Sequence, residues 1–596
     1  MTAISAASVH LPQNDTLPTF PSHYTTMPPG YPNASLTSLN STTFRILDII
    51  VGVVMGITIE QDAGFVKDRF YAGSRLLQPI SNWSGIPVDM INFVFASFIS
   101  LPLALFMRFA LPPSRVRPIF RALAEILLGV GVVIFCFGMQ LRVLLLQSSV
   151  AYIMLLLCRR DRVVTPIAVT VWSLLYLMLI HQCRLYYDYE GYTLDISGAV
   201  MLQTQRLSSL AFNLYDGARI AKAATAANGA CKTSNEEDDI LDGQDDATRA
   251  IVEDTDPKIV PSSRDCAVSK MPGPIEFAAY CLYFHGVCIG PFVFFKDYRN
   301  YLHGYENKRL PSIPYRRMFY LTMQLMAYGL TYAILFNRIP VSFINHGAFQ
   351  ELSIFGQCSY MFAAFFVARL KYYFGWCLAE MLGICAGNGY AGIDPKTHST
   401  LWLNVHNFDF FQVETAPNLK LLIDAWNIGT VRWLREVVYL RAPLKFRTVF
   451  VFLVSAFWHG LYPGYYLMFL SFALFTHTSR AWRRNFRPLV LAADSATVQC
   501  IYDVFTLVVT HFVMEYAQAP FHLLSFFPSI KVWLKFYFVP HILGVLVIIC
   551  IAPLVRCGKR MAAKRPQKSS SNGRSRVVSS ESERVQPLVA NHESSD

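Results

Sequence analysis

The sequence predicts an all-α, polytopic membrane protein of about eleven transmembrane helices, with additional re-entrant or interfacial helices. Of its 596 residues, 53% are hydrophobic, and the mean hydropathy is +0.34, whereas soluble chains of this length stay near neutral hydropathy. The apolar residues fall into long runs, which indicates that a lipid bilayer surrounds them. Because irregular backbone inside a bilayer would leave its polar groups without partners, the runs are predicted to be helices.

The apolar runs recur along both halves of the chain. In order they cover Ile46–Ile59, Met90–Phe109, Ala122–Phe137, Val143–Cys158, Val164–Ile180, Pro274–Phe295, Met318–Leu335, Leu352–Ile384, Phe446–Leu461, Tyr465–Thr476, Tyr502–Val513 and Phe536–Leu554. The first is short enough to be an interfacial element. The run Leu352–Ile384 is too long for one perpendicular span and is predicted to tilt, bend or divide.

Composition divides the chain into five segments. They are a disordered lumenal tail, a first membrane-helix half, an acidic solvated loop, a second membrane-helix half with the motifs described below, and a disordered cytosolic tail, at residues 1–44, 45–222, 223–270, 271–555 and 556–596. The first tail has no Lys or Arg and carries sequons at Asn14, Asn33 and Asn40, whereas the last is densely basic after the final run. The positive-inside rule therefore predicts a lumenal N-terminus, a cytosolic C-terminus and an odd number of spans.

The formal net charge of +12 does not indicate nucleic-acid binding here, because much of the basic charge borders apolar runs. Anchoring and contact with anionic lipid or phosphate explain it more simply. The chain lacks the GxSxG elbow of lipases and the P-loop of ATPases. A His10–Asp15 spacing resembles a motif of another acyltransferase class, but it lies in the polar tail, where nothing rigid would hold a site.

The strongest candidate for chemistry is His459, which directly follows Trp458 at the end of an apolar run. Gly460, Pro463 and Gly464 then interrupt the helix. An ionisable group at membrane depth is costly and therefore informative. Burial favours neutral imidazole, which is a good general base near neutral pH. The alternative is a histidine that a neighbouring carbonyl satisfies.

The second candidate is Asn427, within the segment Asp424–Leu440. Because this segment contains Arg432 and Arg435, it is predicted to be an interfacial or re-entrant amphipathic helix that lines a cavity. A carboxamide there can hydrogen-bond a reacting oxygen or orient an imidazole. The alternative is a helix cap or a surface amide.

The pairs Trp426-Asn427 and Trp458-His459, the latter followed by Gly460, resemble the Asn and His motifs of the MBOAT (membrane-bound O-acyltransferase) family. The resemblance runs from about residue 46 to residue 554, without the acidic loop, and is greatest to the lysophospholipid acyltransferase branch. It includes the segments WNIGTVRWLREVVYLR at Trp426–Arg441, SAFWHGLYPGYY at Ser455–Tyr466, VETAPNLKLLIDAWN at Val413–Asn427, KYYFGWCLAE at Lys371–Glu380, RLSSLAFNLYDG at Arg206–Gly217 and MPGPIEFAAYCLYFHGVCIGPFVFFKDY at Met271–Tyr298.

The resemblance implies transfer of a fatty acyl chain from acyl-CoA to the free hydroxyl of a lysophospholipid, inside a reaction chamber that the helices enclose. It implies His459 as general base and Asn427 as the group that positions the hydroxyl or imidazole or stabilises the oxyanion. Since the thioester is already activated, no metal and no cofactor beyond the co-substrate acyl-CoA are expected. The endoplasmic reticulum membrane is the implied location, and the oligomeric state stays open.

Further residues are assigned to substrate binding or to the chamber wall because they match family positions: Trp426, Trp458, Glu414, Asn418, Tyr373, Trp376 and Glu380. Three arginines between the motifs, Arg432, Arg435 and Arg441, are candidates for contact with CoA or the lipid head group, because guanidinium groups suit phosphate. Ordinary anchoring beside the next span explains them equally well.

Other functions remain possible at this stage. A family member could act on a sterol, diacylglycerol or protein, although the motif surroundings favour a phospholipid acceptor. From another class, a transporter could use His459 and buried charges to line a path. No internal repeat links the two halves, so the usual transporter architecture has no support.

Overall fold

The computed structural model of the chain describes residues 71–189, 193–230, 265–305, 308–551 and 553–555. Four predictions lie outside the described residues: the lumenal tail, the run Ile46–Ile59, most of the acidic loop and the cytosolic tail. The described part is helical apart from one hairpin of two strands, each two residues long, so the predicted all-α class is confirmed.

The described part of the first half contains six helices, the last of which continues into the segment predicted as the acidic loop, 223–270. They are α1 Gln78–Ser84, α2 Val88–Ala110, α3 Pro118–Phe137, α4 Leu141–Leu157, α5 Val164–Tyr187 and α6 Ser197–Ala230, with a 3₁₀ turn Gly138–Gln140 between α3 and α4. Pro118 stands in the first turn of α3, where its fixed φ favours a helix and its missing N–H costs nothing.

The second half continues with helices of very different lengths. They are α7 Pro274–Leu282, α8 Phe295–His303, α9 Tyr315–Leu335, α10 Gly347–Glu351, α11 Ile354–Ala386, α12 Phe410–Glu414, α13 Leu419–Ala425, α14 Ile428–Leu434, α15 Arg447–His459, α16 Pro463–Ala492, α17 Ala496–Leu523, α18 Phe526–Lys535 and α19 Val539–Leu546. Strands β1 Gly392–Ile393 and β2 Thr400–Leu401 pair antiparallel, a 3₁₀ turn covers Val341–Asn345, and π-helices cover Arg435–Tyr439 and Val547–Ile551.

Five stretches of the described chain are long and apolar enough to cross a membrane, or six if α18 and α19 form one bent span. The five are α2, α3 with α4, α5, α9 and α17. The polytopic architecture is thus confirmed, although the count is smaller than about eleven. The difference arises because α3 and α4 form one stretch of 40 residues, because α6, α11 and α16 are long but less apolar, and because the run Ile46–Ile59 lies outside the described residues.

Two predicted runs have a different form from the one expected, and for a third, Leu352–Ile384, only the predicted division is excluded. The run Pro274–Phe295 is a short helix, α7, followed by buried irregular chain, which a membrane protein tolerates where protein surrounds the backbone. The run Leu352–Ile384 is one continuous helix, α11. The last run, Phe536–Leu554, begins its helix only at Val539 and changes to a π-helix.

The predicted helix Asp424–Leu440 is also divided, because the chain breaks at Asn427 between α13 and α14. Helices from both halves share one core, with α2 against α11, α3 against α7, and α15 against α5. Gly129 permits the α3–α7 crossing, since a Cβ atom there would come within 1.6 Å of the Leu282 carbonyl oxygen. At the centre of the first half lies α6, whose polar side chains are buried.

Candidate active site

His459 is the last residue of α15, as the sequence predicted. The helix ends there because Gly460 has φ 131°, a conformation that L side chains rarely adopt. Pro463 then begins α16, so the imidazole lies at a sharp turn between two helices that pack together.

Aromatic rings surround the imidazole of His459. Its ring centroid lies 4.7 Å from that of Trp458, 5.1 Å from that of Phe469 and 5.2 Å from that of Phe521, with Tyr465 at 5.8 Å. No described residue forms a hydrogen bond with this imidazole, so the satisfied-histidine alternative finds no partner among them.

Phe521 reaches the site because the start of α16 is locked to the end of α17. The Gly464 backbone N–H donates to the Leu524 carbonyl oxygen at 2.7 Å. A Cβ atom on Gly464 would come within 2.0 Å of the Pro520 carbonyl oxygen, so only glycine permits this approach. The glycine that the sequence identified as a helix interruption also closes the aromatic enclosure.

A second imidazole, that of buried His181 on α5, contacts the end of α15. Its Nε2 is 3.3 Å from the Trp458 carbonyl oxygen, which requires the proton on Nε2. Its ring also faces Gly460, since a Cβ atom there would lie 3.4 Å from His181 Cγ. This residue was not predicted from the sequence. Like His459, it is an ionisable group at the end of an apolar run, and that position could have identified it.

Asn427 occupies the break between α13 and α14 in the left-handed conformation, with φ 49° and ψ 54°. Asparagine tolerates this conformation better than most residues. Asn407 holds the break, because its Nδ2 donates to Asn427 Oδ1 at 3.2 Å and its Oδ1 accepts from the Gly429 N–H at 2.8 Å. The Asn407 carbonyl accepts from the Ile428 N–H at 2.8 Å. The fixed carboxamide keeps its Nδ2 donor free of described partners.

Asn407 was not identified from the sequence, because it stands in a stretch without helical periodicity, far from either motif. Its side chain forms hydrogen bonds with the Asn427 carboxamide and the Gly429 N–H, and such tertiary bonds cannot be recognised in a single sequence. Its effect is visible only once the chain is folded.

Helix α6 connects the two motifs. The Trp433 Nε1–H of α14 donates to Ser208 Oγ at 2.9 Å, and the Trp458 Nε1–H of α15 donates to the Met201 carbonyl at 2.9 Å. The two tryptophan rings also pack together, with centroids 5.8 Å apart. Trp458, a predicted substrate contact, is thus a buried support that fixes the helix end.

A third link lies one turn before Ser208. Gln205 Nε2 of α6 donates to Thr430 Oγ1 of α14 at 2.9 Å. Both the Asn427 break and the His459 turn are therefore positioned against the same helix. Part of α6 belongs to the segments that carry the family resemblance, but no membrane helix was predicted there from the sequence.

Three of the predicted wall residues form one aromatic cluster. The ring centroids of Trp376 and Trp426 are 4.8 Å apart, and those of Tyr373 and Trp426 are 5.7 Å apart. Phe408 stacks on Tyr373 at 4.9 Å. Since Trp426 directly precedes Asn427, the cluster supports the Asn427 break on the side of α11.

Glu414 belongs to a buried ion-pair network. Arg369 of α11 donates to both carboxylate oxygens of Glu414 at 2.9 Å and to Glu515 of α17 at 2.9 Å. The Tyr373 hydroxyl donates to Glu414 at 2.7 Å. A bidentate pair of this kind fixes geometry. The Glu414 carboxylate is thus engaged in joining α11, α12 and α17.

Two other predicted residues also have structural partners. Asn418 caps α13, since its Oδ1 accepts from the Leu421 N–H at 3.1 Å. Buried Glu380 accepts from Arg317 at 2.7 Å and lies 3.0 Å from His406 Nδ1. Their predicted contact with substrate stays a prediction.

The three predicted arginines have different surroundings. Arg441 pairs with Asp216 of α6 at 2.7 Å and accordingly serves the fold. Arg432 donates to Asn404 at 3.3 Å and lies 5.3 Å from the Phe294 ring centroid. Arg435 is exposed, which suits contact with a soluble anionic group. Among the described residues no cluster of His, Cys, Asp and Glu could hold a metal ion, and the metal-free site stays a prediction.

The chain is similar in sequence to a known protein family and to several curated proteins. The sequence model of the MBOAT, membrane-bound O-acyltransferase, family matches residues 186–516. The matched region begins at the end of α5 and reaches into α17. It contains Asn427, His459 and the whole of α6, together with Trp458, Tyr465 and Phe469 beside the imidazole, whereas Phe521 lies beyond its end.

Curated relatives are similar over most of their length. The chain is 31% identical over 497 residues to membrane-bound glycerophospholipid O-acyltransferase 2 from Homo sapiens, which covers 80% of the chain and 88% of the relative. It is 30% identical over 533 residues to lysophospholipid acyltransferase 6 from Drosophila melanogaster, covering 87% and 68%. A lysophospholipid acyltransferase from Saccharomyces cerevisiae is 31% identical over 378 residues, covering 59% and 56%.

Proposed function

The chain belongs to the membrane-bound O-acyltransferase family, in the branch of the lysophospholipid acyltransferases, and on this premise we propose that it transfers a fatty acyl chain from acyl-CoA to a lysophospholipid. The observation that carries the proposal is the imidazole of His459, enclosed by aromatic rings and without a hydrogen-bond partner among the described residues. An imidazole that takes a proton from a substrate needs at least one ring nitrogen that no protein group occupies.

In the proposed reaction the free hydroxyl of the lysophospholipid gives its proton to His459 as its oxygen bonds to the thioester carbonyl carbon. The tetrahedral intermediate then collapses, the carbon–sulfur bond breaks, and the imidazolium returns the proton to the CoA sulfur. The fixed carboxamide of Asn427 supports this scheme, because its free Nδ2 can donate to the hydroxyl oxygen or to the oxyanion. The aromatic enclosure limits access of water, which would otherwise compete for the thioester.

We further propose that the donor arrives from the cytosol and that exposed Arg435 contacts its phosphates. The proposed location is the endoplasmic reticulum membrane, with the N-terminus in the lumen and the C-terminus in the cytosol. Loss of a glycosidase-sensitive mass shift on changing Asn14, Asn33 and Asn40 to Gln would support this orientation. A tail without any such shift would contradict it.

The decisive experiment is an acyl-transfer assay on microsomes from cells that express the full chain. Labelled oleoyl-CoA is offered with a panel of lysophospholipids that differ in head group, and His459→Ala at equal expression serves as the inactive control. We expect acylation that depends on His459, and the best acceptor identifies the head group. The proposal fails if no lysophospholipid is acylated, or if the variant equals the wild type.

A further inference from the structure

A cavity of about 470 Å³ lies between α15, α16 and the π-helix that follows α19. Its volume falls within the ~300–1,000 Å³ of small-molecule sites. One wall is Val449 of α15 and another is Ile548 of the π-helix. The floor is a stripe along α16 from Leu470 to Arg484, which includes Leu474.

The cavity lies apart from the candidate active site. Val449 stands ten residues before His459 on α15, which corresponds to ~15 Å at the rise of an α-helix. On α16, Phe469 faces His459 whereas its neighbour Leu470 faces the cavity. The two sites therefore use different faces of the same helix pair.

Polar contacts hold together the elements that enclose the cavity. Arg480 of α16 donates to Thr448 Oγ1 of α15 at 3.2 Å. Thr478 Oγ1 donates to the Gly544 carbonyl oxygen of α19 at 3.1 Å, which attaches the C-terminal element. The space is consequently a feature of the fold with defined walls.

The polarity of the cavity changes along α16. Its upper part is apolar, and its lower part carries His477 and the exposed guanidinium of Arg484. Arg484 forms no ion pair with any residue that the structure describes. The neighbouring Arg483 and Arg487 do not line the cavity and interact electrostatically with Tyr502 of α17.

The stripe from Leu470 to Arg484 is ~21 Å long at the rise of an α-helix. One leaflet of a bilayer, with its head-group region, is about half of 40–45 Å. A single lipid of one leaflet matches this length, with its chain beside the apolar part and its phosphate near the arginine. The chain's own C-terminal tail is a poor occupant, because it begins with Arg556, Lys559 and Arg560.

We propose that this cavity binds one anionic glycerophospholipid of the surrounding leaflet, with its phosphate at Arg484 and an acyl chain along the stripe toward Leu470. The lipid joins α15 and α16 to the C-terminal element, and it is distinct from both substrates of the reaction proposed above. The inference does not depend on which acceptor the active site uses.

The test places the full chain in nanodiscs of dioleoylphosphatidylcholine that contain a small fraction of phosphatidylglycerol with a diazirine on one acyl chain. After illumination, labelled peptides are mapped by mass spectrometry. We expect labels between Leu470 and Arg484 and around Ile548. Because a charge-assisted hydrogen bond is lost, Arg484→Glu should reduce this labelling by about tenfold.

Two controls keep the result interpretable. Arg483→Glu makes the same charge change at a residue that does not line the cavity and should leave labelling unchanged, and Arg484→Lys should retain most of it. Leu470→Trp fills the apolar part and should also reduce labelling, with the elution volume and melting temperature of each variant verifying its fold.

Several outcomes would overturn the proposal. Equal labelling by a phosphatidylcholine probe would show ordinary lipid contact without selection. Displacement of the probe by non-hydrolysable acyl-CoA or by a lysophospholipid would make the cavity part of a substrate path. Equal loss of labelling in Arg483→Glu and Arg484→Glu would show that only the general basic charge of α16 matters.

Discussion

His459 and Asn427 both stand where a helix is interrupted, yet the structure holds them in opposite ways. His459 ends a regular helix and is confined only by rings, with no hydrogen bond from a described residue. Asn427 occupies a left-handed break and is fixed through Asn407. The comparison indicates a division of labour, in which the group that exchanges a proton is left free and the group that positions is held rigid.

The largest effect is expected for His459→Ala, measured as kcat at saturating substrates. Loss of a general base costs about 10²–10⁴-fold. His181→Gln is the matched control, because His181 is also a buried imidazole but is engaged by the Trp458 carbonyl. It should lose far less activity. If His181→Gln were as inactive as His459→Ala, the unbonded imidazole would not be the distinguishing feature.

The second effect separates the Asn427 side chain from its backbone. Asn427→Ala and Asn427→Gly both remove the carboxamide, and loss of a comparable oxyanion donor costs about 10²–10³-fold in kcat. Glycine adopts φ 49° without strain, whereas alanine in that conformation costs about 1–2 kcal/mol. Both variants should be similarly inactive, with only Asn427→Ala less stable to heat. Recovery of activity in Asn427→Gly would reduce the role of Asn427 to backbone geometry.

The motifs themselves were predictable from the sequence, since a histidine before Gly460 and an arginine-rich helix after Asn427 are unusual at membrane depth. Helix α6 was not predictable from hydropathy. It is long enough to span, but its mean hydropathy is low because it contains glutamines, serines and Arg206. These polar side chains are buried against other helices. Hydropathy detects helices that face lipid and therefore overlooks the helix that organises the site.

The opposite error concerns Pro274–Phe295, an apolar run that was predicted to span. Its irregular part packs inside the protein, where Arg206 donates to the carbonyl oxygens of Cys281 and Gly286 at 2.9 and 2.6 Å. Apolar composition reports burial, and it does not tell burial in lipid from burial in protein. Residues that act through tertiary hydrogen bonds, such as Asn407, also have no local signal.

A third and smaller effect is expected at Asn407, whose hydrogen bonds hold the chain break at Asn427. Asn407→Ala removes the hydrogen bonds to Asn427 and to the Gly429 N–H, each worth about 0.5–1.5 kcal/mol, so kcat should fall by roughly tenfold. Asn404→Ala is the matched control, because the side-chain amide of Asn404 contacts Arg432 and the Tyr390 carbonyl among the described residues, and not Asn427. An equal fall in both variants would show that the region needs general packing and no specific amide.

The smallest effect is expected where α6 holds the Asn427 side of the site. Trp433→Phe and Ser208→Ala each remove the same hydrogen bond of 2.9 Å, and a buried bond is worth about 0.5–1.5 kcal/mol, so activity should fall only a few-fold. Because both changes remove one shared interaction, the double variant should be little worse than either single variant. The measurement is kcat and melting temperature for all four proteins. Fully additive losses would show that the two residues act separately, and that α6 does not position Asn427 through this bond.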